Sequence, residues 1–264
     1  MSGRIEERFT ALGKAKRKAL ITFIMGGDPD KSTSAKILAS LPTSGADLIE
    51  IGMPFSDPMA DGAIIEAAGL RALAAGTKLK DIFAMVTTFR KTDDITPIIL
   101  MGYYNPVYNY GIEQFCKDAK LAGVDGVILV DLPPEEEDEF TVNAEPYGIR
   151  LIRLITPTTN DARLARILKK AGGFLYYVAV AGITGTKSAD MESLKTRVNH
   201  IKSKTALPIA VGFGIKTPEQ VAHISKFSDG VVVGSALVEK IATQSLAEAM
   251  DFVKSLKSNL DSSL

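Results

Sequence analysis

The residues best suited to chemistry in this sequence are carboxylates, and Glu50 is the first of them. It lies inside the apolar segment 48–52, where an ionised side chain loses its hydration. An unpaired buried charge is strongly destabilising, so Glu50 is either paired with a neighbouring arginine or has a functional role. Burial also raises a carboxyl pKa toward neutrality, which suits a general acid or base. We therefore favour a catalytic role for Glu50.

Two further carboxylates, Asp57 and Asp61, occupy the long segment 53–62 that follows. An aspartate before a proline or at the start of a helix often serves only to bind nearby backbone N–H groups. One of the two is therefore expected to be structural. Their spacing from Glu50 does not by itself select between them.

Glycines at the ends of two later apolar segments indicate a phosphate site. Gly212-Phe213-Gly214 ends one segment, and Gly234-Ser235 ends the next and precedes a helical pattern. Glycines let backbone N–H groups approach an anion closely, and a helix N-terminus adds partial positive charge. The segment 182–186, rich in Gly and Thr, is either a mobile loop that closes over the phosphate or a flexible turn.

The residue types that are scarce also restrict the chemistry. The two histidines, His200 and His223, fall in helical patterns away from strand ends. This argues against a histidine metal site or a Ser-His triad. No lysine lies within an apolar segment or directly after one, which disfavours a Schiff base. Carboxylates, hydroxyls and backbone amides remain, and no metal is predicted.

Eight apolar segments alternate with helical patterns and must position these groups. Their hydrophobicity is mostly continuous, as expected where helices cover both sides of a parallel sheet. The segments are 19–26, 47–52, 97–102, 126–133, 149–157, 174–182, 208–214 and 230–235. A joint in which Gly or Ser ends a helix and Asp enters a strand recurs at 45–49, 123–127 and 228–232. Such recurrence indicates repeated βα units.

These patterns predict an α/β protein, a single (β/α)8 TIM barrel over residues 1–264. The first segment lacks the glycine fingerprint of an open nucleotide-binding sheet. Apolar residues at 5, 9 and 12 predict an extra N-terminal helix that covers one end of the barrel. The active site of this fold lies where the strands end and the βα loops begin.

The overall composition excludes several classes of protein. Lys and Arg together number 31, as do Asp and Glu, so no net charge attracts nucleic acid or an anionic membrane. Cys116 is the single cysteine, which fits a reducing compartment. No apolar stretch approaches the roughly 20 residues needed to span a bilayer. We expect a cytoplasmic protein, or a plastid protein whose transit peptide has been removed.

Glu50 and the following string IGMPFSDPMADG resemble the strand-two signature of the tryptophan synthase α-subunit family. The similarity covers nearly the whole chain, through the segments 22–29, 103–111, 125–133, 181–186, 212–215 and 234–238. Ala63 departs from the family pattern, in which Pro follows the ADG string. The long PFSDP…ADG string is the specific part of the match.

The resemblance implies that Glu50 and Asp61 are the catalytic pair. The implied reaction is the retro-aldol cleavage of indole-3-glycerol phosphate to indole and glyceraldehyde 3-phosphate. Once indole C3 is protonated, the ring accepts the electrons of the breaking C–C bond, so no cofactor is required in this chain. Glu50 would move protons at C3 and at the side-chain hydroxyl, and Asp61 would bind the indole N–H.

The resemblance also implies substrate and partner positions. Candidates for the apolar indole pocket are Phe23, Leu100, Ile155 and Tyr176. The alternative for each of them is a side chain that only fills the barrel. The other substrate-binding candidates, mainly for the phosphate, are Thr184, Gly185, Phe213, Gly214, Gly234 and Ser235. The implied partner is a β subunit that carries pyridoxal phosphate, in an α2β2 complex. Its predicted contacts are Asp57, Pro58, Asn105 and Pro106.

Two alternatives accompany this prediction. Another phosphate-binding barrel, such as a sugar-phosphate isomerase, would use similar carboxylates and phosphate loops, but the PFSDP…ADG string argues against it. A non-catalytic α-like subunit that only activates a β partner is the second alternative. The presence of both Glu50 and Asp61 argues against that alternative.

Overall fold

The structure is a computed structural model that describes residues 3–179, 188–212 and 214–262. In these ranges, nine strand segments form one sheet in which every pairing is parallel. They are β1 (Ala19–Met25), β2 (Leu48–Gly52), β3 (Ile98–Gly102), β4 (Gly126–Leu129), β5 (Arg150–Leu151), β6 (Arg153–Ile155), β7 (Leu175–Val178), β8 (Ile209–Gly212) and β9 (Gly230–Val233). Their order in the sheet is β5-β4-β3-β2-β1-β9-β8-β7-β6.

The first and last segments in this order, β5 and β6, are two halves of one interrupted strand. A single residue, Ile152, separates them, and its backbone N–H still donates to the Val127 carbonyl at 2.9 Å. The Arg153 side chain folds back and donates from Nη1 to the Leu151 carbonyl at 2.8 Å. The nine segments therefore occupy eight strand positions around a nearly closed barrel, and the predicted TIM barrel is confirmed.

Helices lie between the strands. They are α1 (Arg4–Lys14), α2 (Lys31–Ser40), α3 (Ala63–Ala74), α4 (Leu79–Phe89), α5 (Tyr104–Tyr110), α6 (Ile112–Ala122), α7 (Asp138–Ala144), α8 (Asp161–Leu168), α9 (Ser188–Lys202), α10 (Pro218–Ser225), α11 (Ser235–Thr243) and α12 (Leu246–Ser262). Short 3-10 turns occupy Pro42–Ser44 and Glu145–Tyr147. Thr217 caps α10 and Pro218 is its first residue, as the sequence predicts. None of the helices within the described ranges has the length and apolar character required to traverse a bilayer.

Side chains alternate between the barrel interior and the layer that packs against the helices. The interior cluster includes Ile21, Leu48, Ile99, Ile128, Ile152, Tyr176, Ala210 and Val232. Three residues of α1 belong to the same cluster: Ile5, Phe9 and Leu12. The ring of Phe9 lies 5.6 Å from that of Phe174, centroid to centroid. The predicted N-terminal helix therefore closes one end of the barrel.

The recurring aspartate at the entry of a strand has a common structural role. Asp47, Asp125 and Asp229 each accept a backbone N–H from the preceding strand position. The donors are Leu20 at 2.9 Å, Ile98 at 2.8 Å and Ile209 at 3.0 Å. Each aspartate thus joins the amino-terminal ends of two neighbouring strands. Arg4 of α1 binds Asp125 at 2.9 Å, so α1 covers this end and the opposite end stays open.

Candidate active site

A cavity of about 840 Å³ opens at the carboxyl ends of the strands. This volume lies in the range of small-molecule sites. Its lining includes Glu50 from β2, Asp61 from the loop after β2, Tyr176 from β7 and Ser235 at the start of α11. The cavity therefore lies where the active site of this fold is expected.

Glu50 is fully buried and lines the cavity. Neither carboxyl oxygen has a hydrogen-bond partner among the described residues, and no arginine of those residues pairs with it. Loss of solvent raises the pKa of Glu50 to about 8. The side chain is therefore mostly protonated at neutral pH and can act as an acid there.

Asp61 is half-buried and is held by Tyr103. The Tyr103 hydroxyl donates to Asp61 Oδ1 at 2.9 Å and accepts the Ala60 N–H at 2.9 Å. Burial raises the pKa of Asp61, and the bond from Tyr103 acts in the opposite direction. The ring of Tyr103 packs 5.6 Å from that of Phe55, centroid to centroid. Tyr103, which no pattern in the sequence marks as a site residue, thus orients the loop that carries Asp61.

The second aspartate of this loop, Asp57, lies outside the cavity lining. It is exposed, and its Oδ2 accepts a hydrogen bond from the neighbouring Ser56 hydroxyl. The structure therefore brings Asp61, and not Asp57, to the same cavity as Glu50. This geometry favours the choice that sequence spacing left open.

Of the four candidates for the apolar pocket, the structure brings two to the cavity. Phe23 and Tyr176 line it. Leu100 and Ile155 do not; both are fully buried in the cluster between strands and helices. Their positions are corrected to the adjacent residues Met101 and Leu154, which line the cavity because successive side chains of a strand point to opposite faces.

Tyr176 lies close to Glu50 inside the barrel. Burial, and then the charge of Glu50, raise the pKa of the Tyr176 phenol well above its ordinary value. A β-carbon at Gly212 of β8 would fall 2.3 Å from the Tyr176 hydroxyl oxygen. Glycine at this position therefore leaves space for the phenol group of Tyr176 next to the cavity.

Three predicted phosphate residues, Gly214, Gly234 and Ser235, line the same cavity. Gly214 has a φ of 78°, in the left-handed region that favours glycine. Gly234 is the N-cap of α11, so the first turn of that helix faces the cavity with its free N–H groups. Phe213, Thr184 and Gly185 lie outside the described residues. The arrangement suits an anion beside the two carboxylates.

Comparison with known proteins identifies the family. The family model described as "Tryptophan synthase alpha chain" matches residues 9–263. The chain belongs to the tryptophan synthase alpha chain family. A solved tryptophan synthase subunit alpha from Legionella pneumophila str. Paris is 41% identical, with a TM-score of 0.93 and coverage of 99% of this chain and 100% of that one.

More distant structures agree with this assignment. A solved protein from Aquifex aeolicus VF5 is 37% identical, with a TM-score of 0.91 and coverage of 98% of this chain and 99% of that one. A solved tryptophan synthase from Mycobacterium tuberculosis is 32% identical, with a TM-score of 0.89 and the same coverage of the two chains. The similarity therefore extends over the whole barrel.

Membership of the tryptophan synthase alpha chain family establishes the reaction class. The chain is a carbon–carbon lyase of tryptophan biosynthesis, which cleaves indole-3-glycerol phosphate to indole and glyceraldehyde 3-phosphate. Its partner is the β subunit, and pyridoxal phosphate belongs to that subunit. The alpha chain itself carries no cofactor.

The predicted β-subunit contacts lie outside the cavity lining, in the loop after β2 and in the first turn of α5, which follows β3. Asp57 and Asn105 are exposed, and Pro58 and Pro106 are half-buried. The hydrogen bond from the Ala60 N–H to the hydroxyl of Tyr103, the N-cap of α5, joins the two segments. Tyr103 therefore links the loop that carries Asp61 to the helix that carries the other predicted contacts.

Proposed function

We propose that Glu50 and Asp61 together cleave indole-3-glycerol phosphate in this cavity. The observation that carries the proposal is the state of Glu50: a fully buried carboxyl, without a hydrogen-bond partner among the described residues, in the wall of the cavity that Asp61 also lines. A buried carboxyl is normally hydrogen-bonded, and in this cavity the substrate supplies the hydrogen-bond partner.

Glu50 moves the protons of the reaction. In its neutral form it donates a proton to indole C3, which converts the ring to a cation with its charge at N1. The resulting carboxylate then removes the proton of the hydroxyl on the carbon attached to C3. The C–C bond breaks, its electrons return to the ring, and the aldehyde leaves. Glu50 ends protonated, so it is regenerated in each turnover.

Asp61 stabilises the charge that develops on the indole. Its carboxylate accepts the indole N–H, and this hydrogen bond strengthens as N1 becomes cationic. Tyr103 donates to Oδ1 of Asp61, which leaves Oδ2 for the substrate. The division of roles rests on environment: full burial keeps Glu50 neutral, while the Tyr103 bond opposes the same effect at Asp61.

The remaining cavity residues bind the two ends of the substrate. Phe23, Met101, Leu154 and Tyr176 surround the indole. Gly214, Gly234 and Ser235 bind the phosphate through backbone N–H groups and the serine hydroxyl. Thr184, Gly185 and Phe213 complete the substrate site; their support is the family pattern in the sequence.

We further propose that Asp57, Pro58, Asn105 and Pro106 contact the β subunit. The exposure of Asp57 and Asn105, on two segments that the Ala60–Tyr103 hydrogen bond links beside the cavity, supports this assignment. Binding of the partner would then favour the arrangement in which Asp61 is held for catalysis. We also propose a cytoplasmic location, which the single, buried Cys116 thiol supports; cell fractionation tests it.

The experiment that tests the catalytic pair measures indole release from indole-3-glycerol phosphate, with and without the β subunit. We expect slow release by the chain alone and faster release with the partner. Glu50→Gln should lower the rate by at least about a hundredfold, because the amide does not transfer protons. Asp61→Asn should lower it by about 10²–10³ because the charge stabilisation is lost.

The matched controls are exposed carboxylates far from the cavity. Glu113→Gln on α6 and Asp251→Asn on α12 should retain the wild-type rate. Wild-type release by Glu50→Gln would remove Glu50 from the mechanism. Isomerisation of a sugar phosphate without indole release would instead support the isomerase alternative. Acceleration of the β subunit by a chain that releases no indole would support the non-catalytic activator.

A further inference from the structure

Charged side chains of both signs line the cavity. Among the described residues, the acidic ones are Glu50, Asp61 and Asp131, and the basic ones are Arg153, Arg163 and Lys216. Glu50 is mostly neutral at neutral pH, so a phosphorylated substrate meets the carboxylates of Asp61 and Asp131 there. Like charges in one cavity disfavour binding unless a cation without another partner compensates them.

Two of the three cations are paired with glutamates. Arg153 Nε lies 2.8 Å from Glu137 Oε2, and both side chains are more than nine-tenths buried, so Arg153 offers no uncompensated charge to a ligand. Arg163 Nη1 lies 3.3 Å from Glu135 Oε1, which it shares with Arg166. Arg163 lies on α8, which follows β6, and β7 separates β6 from the glycine-bearing end of β8.

Lys216 is the third cation, and its ammonium pairs with no carboxylate among the described residues. Its backbone is fixed, because its N–H donates to Gln220 Oε1 at 2.7 Å. The same oxygen accepts the Thr217 N–H at 3.2 Å, next to the cap of α10. The main chain is thus anchored while the side chain, which is exposed, reaches the cavity.

The lysine lies on the glycine side of the cavity. It comes two residues after Gly214, in the loop that follows β8. The neighbouring strand β9 leads directly into Gly234 and Ser235. Glu50 lies on β2, which β1 separates from β9. The position suits contact with the phosphate rather than with the indole.

We propose that Lys216 is a specificity-determining residue that provides the counter-charge for the phosphate group of the substrate. The inference rests on the proposed function and adds a side chain to a site otherwise built from backbone N–H groups and Ser235. Lysine binds phosphate as a point charge, and its long stem lets it follow the group as it enters. Lys216 thereby favours the phosphorylated substrate over its neutral, dephosphorylated form.

The test compares Lys216→Met and Lys216→Arg with the wild type. Methionine keeps the apolar stem and removes the charge, so KM for indole-3-glycerol phosphate should rise about three- to tenfold, the loss expected for one exposed charge contact. The kcat should change by less than about twofold, since the contact is the same in the bound and transition states. Arginine should restore most of the affinity. The matched control is Lys226→Met, an exposed lysine outside the cavity lining.

Three further readouts separate this role from a general structural effect. Inhibition by glycerol 3-phosphate should weaken in Lys216→Met by the same factor as KM, while inhibition by indole should not change. The wild-type KM should rise more steeply with NaCl than that of the variant. Unchanged KM and unchanged inhibition by glycerol 3-phosphate would overturn the inference.

Failure of the proposed function is distinguishable from failure of this inference. If the wild-type protein releases no indole, the proposed function fails. Calorimetric titration with glycerol 3-phosphate then still tests Lys216, since binding of the anion does not require turnover. Weaker binding by Lys216→Met than by Lys226→Met supports the inference, and equal binding overturns it.

Discussion

At the scale of single residues, the property that makes Glu50 useful also makes it destabilising. A neutral carboxyl in the barrel interior has lost its water and gained no partner among the described residues. A pKa of about 8 expresses this penalty on the ionised form, and the same pKa keeps the acid protonated where it must donate. The proposed catalytic role of Glu50 and the stability of the fold therefore oppose each other at this side chain.

The stability of the fold should depend on pH through Glu50. Its pKa is about 8 in the folded protein, against an ordinary glutamate value of 4.5. Between these values the folded state binds the proton and the unfolded state does not, so stability falls as pH rises through this window. The slope is at most about 1.4 kcal/mol per pH unit. Urea unfolding of Glu50→Gln should show a stability advantage over the wild type that is larger at pH 8 than at pH 5. An equal difference at both pH values would contradict the assignment of this pKa.

Removal of the Tyr103 hydroxyl should alter the ionisation of Asp61. In Tyr103→Phe, Asp61 loses a hydrogen bond that lowers its pKa, so its pKa should rise. We expect kcat/KM to fall about tenfold and the acid limb of the pH–rate profile to move to higher pH. Tyr108→Phe, an exposed tyrosine outside the cavity lining, is the control for the isolated chain. A lower rate with an unmoved acid limb would mean that Tyr103 acts only on folding.

At the scale of elements, the strands and their order could be predicted from sequence, but not the direction of each side chain. The apolar segments are continuous, so 97–102 and 149–157 give no sign of which residues face inward. The register aligns Leu100 with Ile51 and Met101 with Gly52. The Leu100 side chain therefore faces the surrounding helices, and the Met101 side chain faces the barrel interior. Glu50 is recognisable from the sequence because it is the one polar residue in its strand. Met101 and Leu154 are apolar, so the sequence does not distinguish them from the apolar residues that face the helices.

The interruption between β5 and β6 could not be predicted from the sequence either. Arg153 lies within an apolar segment, and its partner Glu137 lies in another loop, so no local pattern connects them. The structure brings them together as a buried pair beside the cavity. Burial lowers the pKa of the Arg153 guanidinium, and Glu137 opposes that shift. The buried charges of Arg153 and Glu137 therefore stabilise each other.

Glu137→Gln should destabilise the fold by about 3–5 kcal/mol, because it leaves the buried guanidinium without a counter-charge. The double variant Glu137→Leu with Arg153→Met should recover most of this loss. The control is Glu135→Gln, whose partners Arg163 and Arg166 are exposed, and it should cost less than about 1 kcal/mol. The measurement is urea unfolding followed by far-UV circular dichroism. A cost for Glu137→Gln no larger than for Glu135→Gln would show that the buried pair contributes little.

At the scale of the whole molecule, the two ends of the barrel differ in what they hold. The amino-terminal end is closed by α1 and by the three strand-entry aspartates. The carboxyl end holds the cavity, both carboxylates of the proposed catalytic pair and the buried Glu137–Arg153 pair. Loops at the open end outside that buried pair are therefore able to change without loss of the fold, as is usual in this architecture.

Asp47 links α1, near the N-terminus, to α12, near the C-terminus, at the amino-terminal end of the barrel. It is buried and binds Arg8 of α1 at 2.8 Å and Lys257 of α12 at 2.7 Å. A contact of this kind, together with one continuous sheet, supports the proposal that residues 1–264 form a single domain. If residues 1–264 form one domain, substitution of Asp47 should lower the stability of all helices and strands in a single transition.

Asp47→Asn should lower the free energy of unfolding by about 2–4 kcal/mol, since two ion pairs lose their acceptor charge at a largely buried site. Because the chain has no tryptophan, near-UV circular dichroism of its tyrosines reports tertiary packing, and far-UV circular dichroism reports the helices. Both signals should move to lower urea together and stay coincident, as one cooperative unit requires. The rate of indole release by the folded protein should not change, because Asp47 lies at the end of the barrel away from the cavity. Two separated transitions would instead divide the chain into independent units and contradict the single domain.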